Sequence, residues 1–192
     1  MLKCLFIFLF ILVSCNHSSY TNPHVMINTN YGAIELELYP DKAPITVASF
    51  LSYIDAGYYT NSSFYRVLKA DELPNDNNTG LIQGGIYLNR TPEIVVKGIA
   101  HEATNVSGLS HTDGTISMAR TKPGSATTEF FICIGDQSPL DHGRSGSGDG
   151  LGMAAFGKVI KGMNVVRRIQ SQSSHGDRFN KNIEIKSIKK LK

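Results

Sequence analysis

The chain has no tryptophan, no block of like charge and only three cysteines among its 192 residues. Lys and Arg number 19 against 16 Asp and Glu, and the net charge of +3 is spread along the chain. That argues against nucleic acid as a partner. One apolar run stands out, Leu5 to Val13, and it is too short to span a bilayer. Compact metal-ligand spacing is also missing. His101-Glu102 with His111 and Asp113 match no such set, so no metal and no cofactor is expected. Ser110, His111 and Asp113 are sequence neighbours, which rarely supply a hydrolase triad. Gly152 to Lys158 spells G-x-x-x-x-G-K, but Val159 stands where a phosphate loop needs Ser or Thr, and the segment reads as a strand. No internal repeat is evident.

What is present begins with an export signal. Lys3 supplies the positive start, the apolar run follows, and Ser14 is small at the cleavage point. Leu12-Val13-Ser14-Cys15 matches a bacterial lipobox, in which the cysteine is lipidated and becomes the new first residue. The expected organisation is therefore a lipoprotein signal peptide at 1–14, a flexible tether at 15–24 after lipidated Cys15, and one domain at 25–192. Asn16 is not the aspartate associated with inner-membrane retention, which points to the outer membrane, facing the periplasm. Cys4 leaves with the signal and Cys15 carries lipid, so only Cys133 remains. No intrachain disulfide can then form, and the core must stabilise the fold unaided. Within Phe131-Ile132-Cys133-Ile134 that thiol reads as buried and structural.

In the domain, Ile34, Leu36 and Leu38 alternate with Glu35 and Glu37, the period of a strand with one wet face. Asn30-Tyr31-Gly32 joins it to Val25–Thr29 as a hairpin. Val47, Phe50, Leu51 and Ile54 recur at helical spacing after Pro44, and Gly57 is placed to end that helix. A second helix is expected near Met163 to Gln170. Further strands are expected at 64–68, 81–87, 115–119, 130–134, 154–159 and 183–188, with surface loops at 69–79 and, glycine-rich and flexible, at 143–152. Many short strands with two helices indicate a mainly-β sandwich or barrel, and pattern alone does not choose between them.

Three separated pieces carry the chemistry: Phe64-Tyr65-Arg66, Gln83-Gly84-Gly85, and the run from Ser117-Met118-Ala119-Arg120 to Glu129-Phe130-Phe131-Ile132. They offer a fixed cation, a neutral amide and an aromatic wall, with no obvious nucleophile or base. Such a set suits binding a peptide and twisting one of its bonds. With Leu140-Asp141-His142-Gly143 and Ala155-Phe156-Gly157-Lys158-Val159, they resemble, in this order, the cyclophilin family of peptidyl-prolyl cis-trans isomerases, from about Val25 to the C-terminus.

The resemblance implies a closed eight-stranded antiparallel barrel capped by two α-helices, acting as a monomer on extended proline-containing polypeptides and assisting the folding of exported proteins. It implies that Arg66 is the catalytic arginine and that Gln83 bonds the substrate backbone and steadies it. Phe131 is implied as the floor of the proline pocket, with Phe130 facing the opposite way. Leu81, Leu140 and Met153 would form apolar walls, and the backbone of Ala119 and Arg120 would bind the peptide. Four positions depart from the family pattern: Glu129 for glutamine, Gly80 for phenylalanine, Pro139 for an aromatic residue, and Met153 for His or Tyr. A Glu129 carboxylate reaching Arg66 would compete with substrate, so Glu129→Gln would raise turnover; otherwise Glu129 points to solvent. The thinned aromatic walls leave open a proline-peptide-binding chaperone or scaffold with little turnover. The absent tryptophan argues against tight binding of the family's cyclic-peptide inhibitor.

Overall fold

A computed structural model describes residues 20–70, 79–89 and 94–192. The expected signal peptide and Cys15 lie outside these residues, as does most of the loop expected at 69–79. The last residues of the expected tether do not behave as one. Tyr20 stacks on His24 at 3.8 Å between ring centroids, and the Asn22 amide donates to Glu37.

Strand β1 (His24–Thr29) turns at Asn30-Tyr31 into β2 (Gly32–Leu38), with Ile27 opposite Ile34. Helix α1 (Pro44–Asp55) starts on a proline, as a fixed φ and a missing N–H allow. Its Ala43 N-cap offers no side-chain bond. The Glu102 carboxylate does this from a distance, accepting from the amides of Ile45 (3.0 Å) and Thr46 (2.7 Å) and from the Thr46 hydroxyl. There follow β3 (Ser62–Lys69), β4 (Gly80–Gly85), the single turn α2 (Thr104–Ser107), β5 (Thr115–Met118) and β6 (Phe130–Ile134). The chain ends with β7 (Ala154–Lys161), α3 (Met163–Gln170), the two-residue β8 (Ser174–His175) and the long β9 (Arg178–Lys190).

Strand order is β1-β2-β7-β5-β6-β4-β3-β9, and β9 pairs back onto β1, closing eight antiparallel strands into a barrel. Strand β8 adds only a short hairpin to the start of β9. The barrel is as expected; the α2 turn is an addition to the two helices. Its interior holds Ile27, Ile34, Leu36, Phe64, Ile82, Phe130, Ile132 and Phe156, all fully buried. Phe50 from α1 plugs the barrel, within 5.1–5.7 Å of the rings of Phe156, Tyr59 and Phe130.

One detail corrects the strand pattern. Glu35 does not face water: it is 3% exposed, held between His24 Nδ1 at 3.0 Å and Lys161 Nζ at 2.8 Å. The alternation is right about which residues face the barrel interior. The outer face at this point is covered, and the carboxylate survives there because both oxygens are paired.

Candidate active site

The site sits on the outside of the barrel, where β3, β4 and β6 run side by side. Gln83 on β4 pairs with Arg66 on β3 and with Phe131 on β6, so the three residues are direct cross-strand neighbours. Leu81, two residues back, pairs with Leu68 and Cys133 in the same way. Alternation then sorts each strand: Ile82, Phe130, Ile132 and Ile134 face the interior, while Leu81, Phe131 and Cys133 form a second apolar cluster with Leu68, Ala119, Leu140 and Met153. Every apolar wall residue expected from the sequence is in that cluster, and Phe130 points the other way.

Strict alternation would turn Arg66 inward with Phe64. A β-bulge between Phe64 and Arg66 prevents this: Phe64 opposes Gly84, Arg66 opposes Gln83, and Tyr65 is the extra residue. Tyr65 and Arg66 therefore both face outward, and Val67 returns to the core. The sequence does not announce this bulge.

A cleft of about 540 Å³ lies over these side chains. Arg66 is half-buried at its edge. Its Nη1 donates to Gln83 Oε1 at 3.0 Å, and its Nε donates to Asp177 Oδ2 at 2.7 Å. Among the described residues Arg66 Nη2 makes no hydrogen bond. Asp177, in the turn between β8 and β9, was not singled out by sequence; no motif marks it. The Arg66 guanidinium holds its carboxyl below the usual range.

Glu129 does not reach Arg66, which removes the competition idea, and it does not point to solvent either. Its Oε2 accepts from Tyr65 Oη at 2.6 Å, and its Oε1 accepts from the Ile86 amide at 2.9 Å and the Thr128 hydroxyl at 3.1 Å. Burial pushes its pKa up, against the pull of these donors. Tyr65 Oη also accepts from Gln83 Nε2 at 3.0 Å; burial, then the Glu129 charge, raises the phenol strongly. Gly85 makes room for Glu129, since a Cβ there would come within 2.5 Å of both carboxylate oxygens.

The remaining departures have local reasons. Gly80 has φ 136°, and a Cβ on it would lie 2.1 Å from the Leu68 carbonyl oxygen, so this backbone carries no phenylalanine. Pro139 is exposed in the 3-10 turn Ser138–Leu140. Met153 packs in the Phe131 cluster. The glycine-rich loop is more tied down than expected. Arg120 clamps Asp149 through Nη1 (2.7 Å) and Nη2 (2.9 Å), and its Nε donates to the Gly152 carbonyl. The Ala119 amide is already bonded to the Glu129 carbonyl at 2.8 Å, so a peptide must use other main-chain groups there.

Behind the floor, Asp141, His111 and Ser117 form a hydrogen-bonded chain, 2.6 Å and 2.9 Å, in which both His111 and Ser117 are fully buried. No carbonyl substrate reaches that serine. The His111 ring instead lies parallel to Phe131, 15° between planes, and supports it. Other sequence decoys are also occupied: His101 bonds the Leu151 carbonyl, and Asp113 takes the Gly135 amide and Arg167. Cys133 is buried, and burial raises its thiol far above the ordinary range.

Comparison with known proteins agrees with the fold. The family model "Cyclophilin type peptidyl-prolyl cis-trans isomerase/CLD" matches residues 24–190. A peptidyl-prolyl cis-trans isomerase of Acinetobacter baylyi is 38% identical over 169 residues, covering 88% of this chain and 82% of that protein. Peptidyl-prolyl cis-trans isomerase B of Escherichia coli is 39% identical over 148 residues, covering 76% and 83%. Among solved structures, a Cryptosporidium parvum cyclophilin determined in the presence of the dipeptide Ala-Pro superposes with a TM-score of 0.68 at 26% identity, over 86% of this chain and 96% of that one.

Proposed function

This chain belongs to the cyclophilin-type peptidyl-prolyl cis-trans isomerase family, and from that membership we propose how its own residues turn the bond. Rotation about Xaa-Pro is opposed by amide resonance, a barrier of about 18–20 kcal/mol. Lowering it needs no covalent step. The proline ring of an extended polypeptide packs on Phe131 between Leu81, Leu140 and Met153, and Arg66 donates to the prolyl nitrogen. That bond localises the nitrogen lone pair and removes double-bond character from C–N. An arginine suits the task because it is always charged and its fork of donors is rigid. The partly buried cleft strengthens the contact relative to water. Gln83 holds the guanidinium and bonds the substrate backbone beside it.

The observation that carries this reading is the register placing Arg66, Gln83 and Phe131 on adjacent strands of one face. A protease-coupled assay on a short Ala-Pro peptide tests it against pure binding. Acceleration well above the uncatalysed rate supports the enzyme; tight binding with no acceleration marks a binding module instead.

The setting is part of the proposal. The run to Val13 and the lipobox at Cys15 support export and lipid anchoring in a bacterial envelope, at the outer membrane and facing the periplasm, where a monomer would assist exported proteins to fold. Cys15→Ser tests it: the anchor requires the variant to leave the membrane fraction or remain unprocessed, and unchanged fractionation rejects it.

A further inference from the structure

Glu129 stands three hydrogen bonds from Arg66, and each bond constrains the next. A carboxylate only accepts, so the single proton of the Tyr65 hydroxyl is committed to Glu129 Oε2. The phenol oxygen is then left as an acceptor, and it takes the Gln83 Nε2 proton. This leaves the Gln83 carboxamide one orientation, with Oε1 toward Arg66, which has only donors to offer. Tyr65, at the centre of the chain, is 4% exposed, so water has little access to rewire it. The bulge at Tyr65 is what lets successive residues serve as two members of one chain.

We propose that Glu129 is a positioning residue that sets the direction of the hydrogen-bond relay Glu129–Tyr65–Gln83–Arg66, and through it holds the guanidinium in place for bond rotation. A neutral amide at position 129 is both donor and acceptor and would not commit the phenol proton. The Gln83 carboxamide could then reverse, setting its NH2 against the donors of Arg66 and losing the 3.0 Å bond. The strong upward shift of Tyr65 agrees with a phenol that keeps its proton beside the carboxylate. The inference rests on the reading of Arg66 as the cation that acts on the prolyl nitrogen.

The test uses the full-length protein with Glu129→Gln, Tyr65→Phe, the double variant and Arg66→Ala, measuring kcat and KM on an Ala-Pro peptide. The Gln83 side-chain amide resonances are followed by NMR in the same proteins. Glu129→Gln and Tyr65→Phe should each lower kcat about tenfold, a loss on the scale of one hydrogen bond, with KM changed less than about twofold. The double variant should be no slower than the worse single, because both cut the same relay. The Gln83 amide signals should move in Glu129→Gln. Unchanged or raised kcat in Glu129→Gln, or multiplied losses in the double, overturns the relay while an inactive Arg66→Ala leaves the role of Arg66 standing. Full activity in Arg66→Ala removes that role and the relay with it.

Discussion

Asp177 Oδ2 accepts a 2.7 Å hydrogen bond from Arg66 Nε, on the opposite edge of the guanidinium from Gln83. The pair is partly open to water, with side-chain exposures of 35% for Arg66 and 46% for Asp177. An exposed pair of this kind contributes about 0–1 kcal/mol to stability. Its value lies in orientation. Asp177→Asn should lower kcat by about three- to tenfold with KM nearly constant, since the loss is one of aim rather than affinity. Thermal unfolding should move by no more than a few degrees. A KM rise at constant kcat would assign Asp177 to peptide binding instead.

Restoring the family's phenylalanine at position 80 should harm the protein. The φ of 136° and the 2.1 Å approach to the Leu68 carbonyl oxygen leave no place for any Cβ. Gly80→Phe, and Gly80→Ala as the milder change, should each cost about 2 kcal/mol or more. Urea unfolding measures this, and a neutral Gly80→Ala would contradict the backbone geometry.

Much of this site is legible in the sequence because strand register converts motif order into neighbourhood. Arg66, Gln83 and Phe131 lie far apart in the chain, yet each faces outward from its own strand, Arg66 by way of the bulge, and alternation alone separates Phe131 from Phe130. What escaped depends on contacts between distant segments. Asp177 reaches Arg66 from a turn 111 residues away. Glu102 caps α1 from 56 and 57 residues downstream, and Glu35 looks solvated until Lys161 and His24 are seen on it. The partner of Glu129 is Tyr65 and not Arg66, and the bulge that brings Tyr65 to it leaves no trace in composition or spacing.

The raised pKa of Glu129 makes stability pH-dependent. Burial makes the folded protein hold this proton more tightly than the unfolded chain. Its contribution is therefore full below the ordinary glutamate value and is lost as pH rises through the folded value. The groups around it are Tyr65, Tyr59, Thr128 and the backbone amides of Ile86 and Tyr87. Unfolding free energies of wild type and Glu129→Gln, measured from pH 4 upward, should diverge in favour of Gln as pH rises. A constant difference across that range would contradict the assigned shift.

His111 has the reverse linkage. Burial lowers its pKa despite the attraction of Asp141, so the fold keeps it neutral while the unfolded imidazole takes a proton. Stability should fall as pH drops from the ordinary imidazole value, about 6.5, toward the lower folded value. His111→Asn should flatten that slope below about pH 6.5. It should also slow isomerisation severalfold by loosening Phe131. A slope equal to wild type would exclude His111 as its source.

The sharpest test follows an Xaa-Pro peptide by exchange NMR at saturating protein, reading cis–trans interconversion of the bound peptide directly. With Arg66→Ala the account predicts that the peptide still binds, through Phe131 and its apolar surround, while interconversion on the protein slows by about a hundredfold or more. Interconversion at the wild-type rate with that guanidinium gone would contradict it.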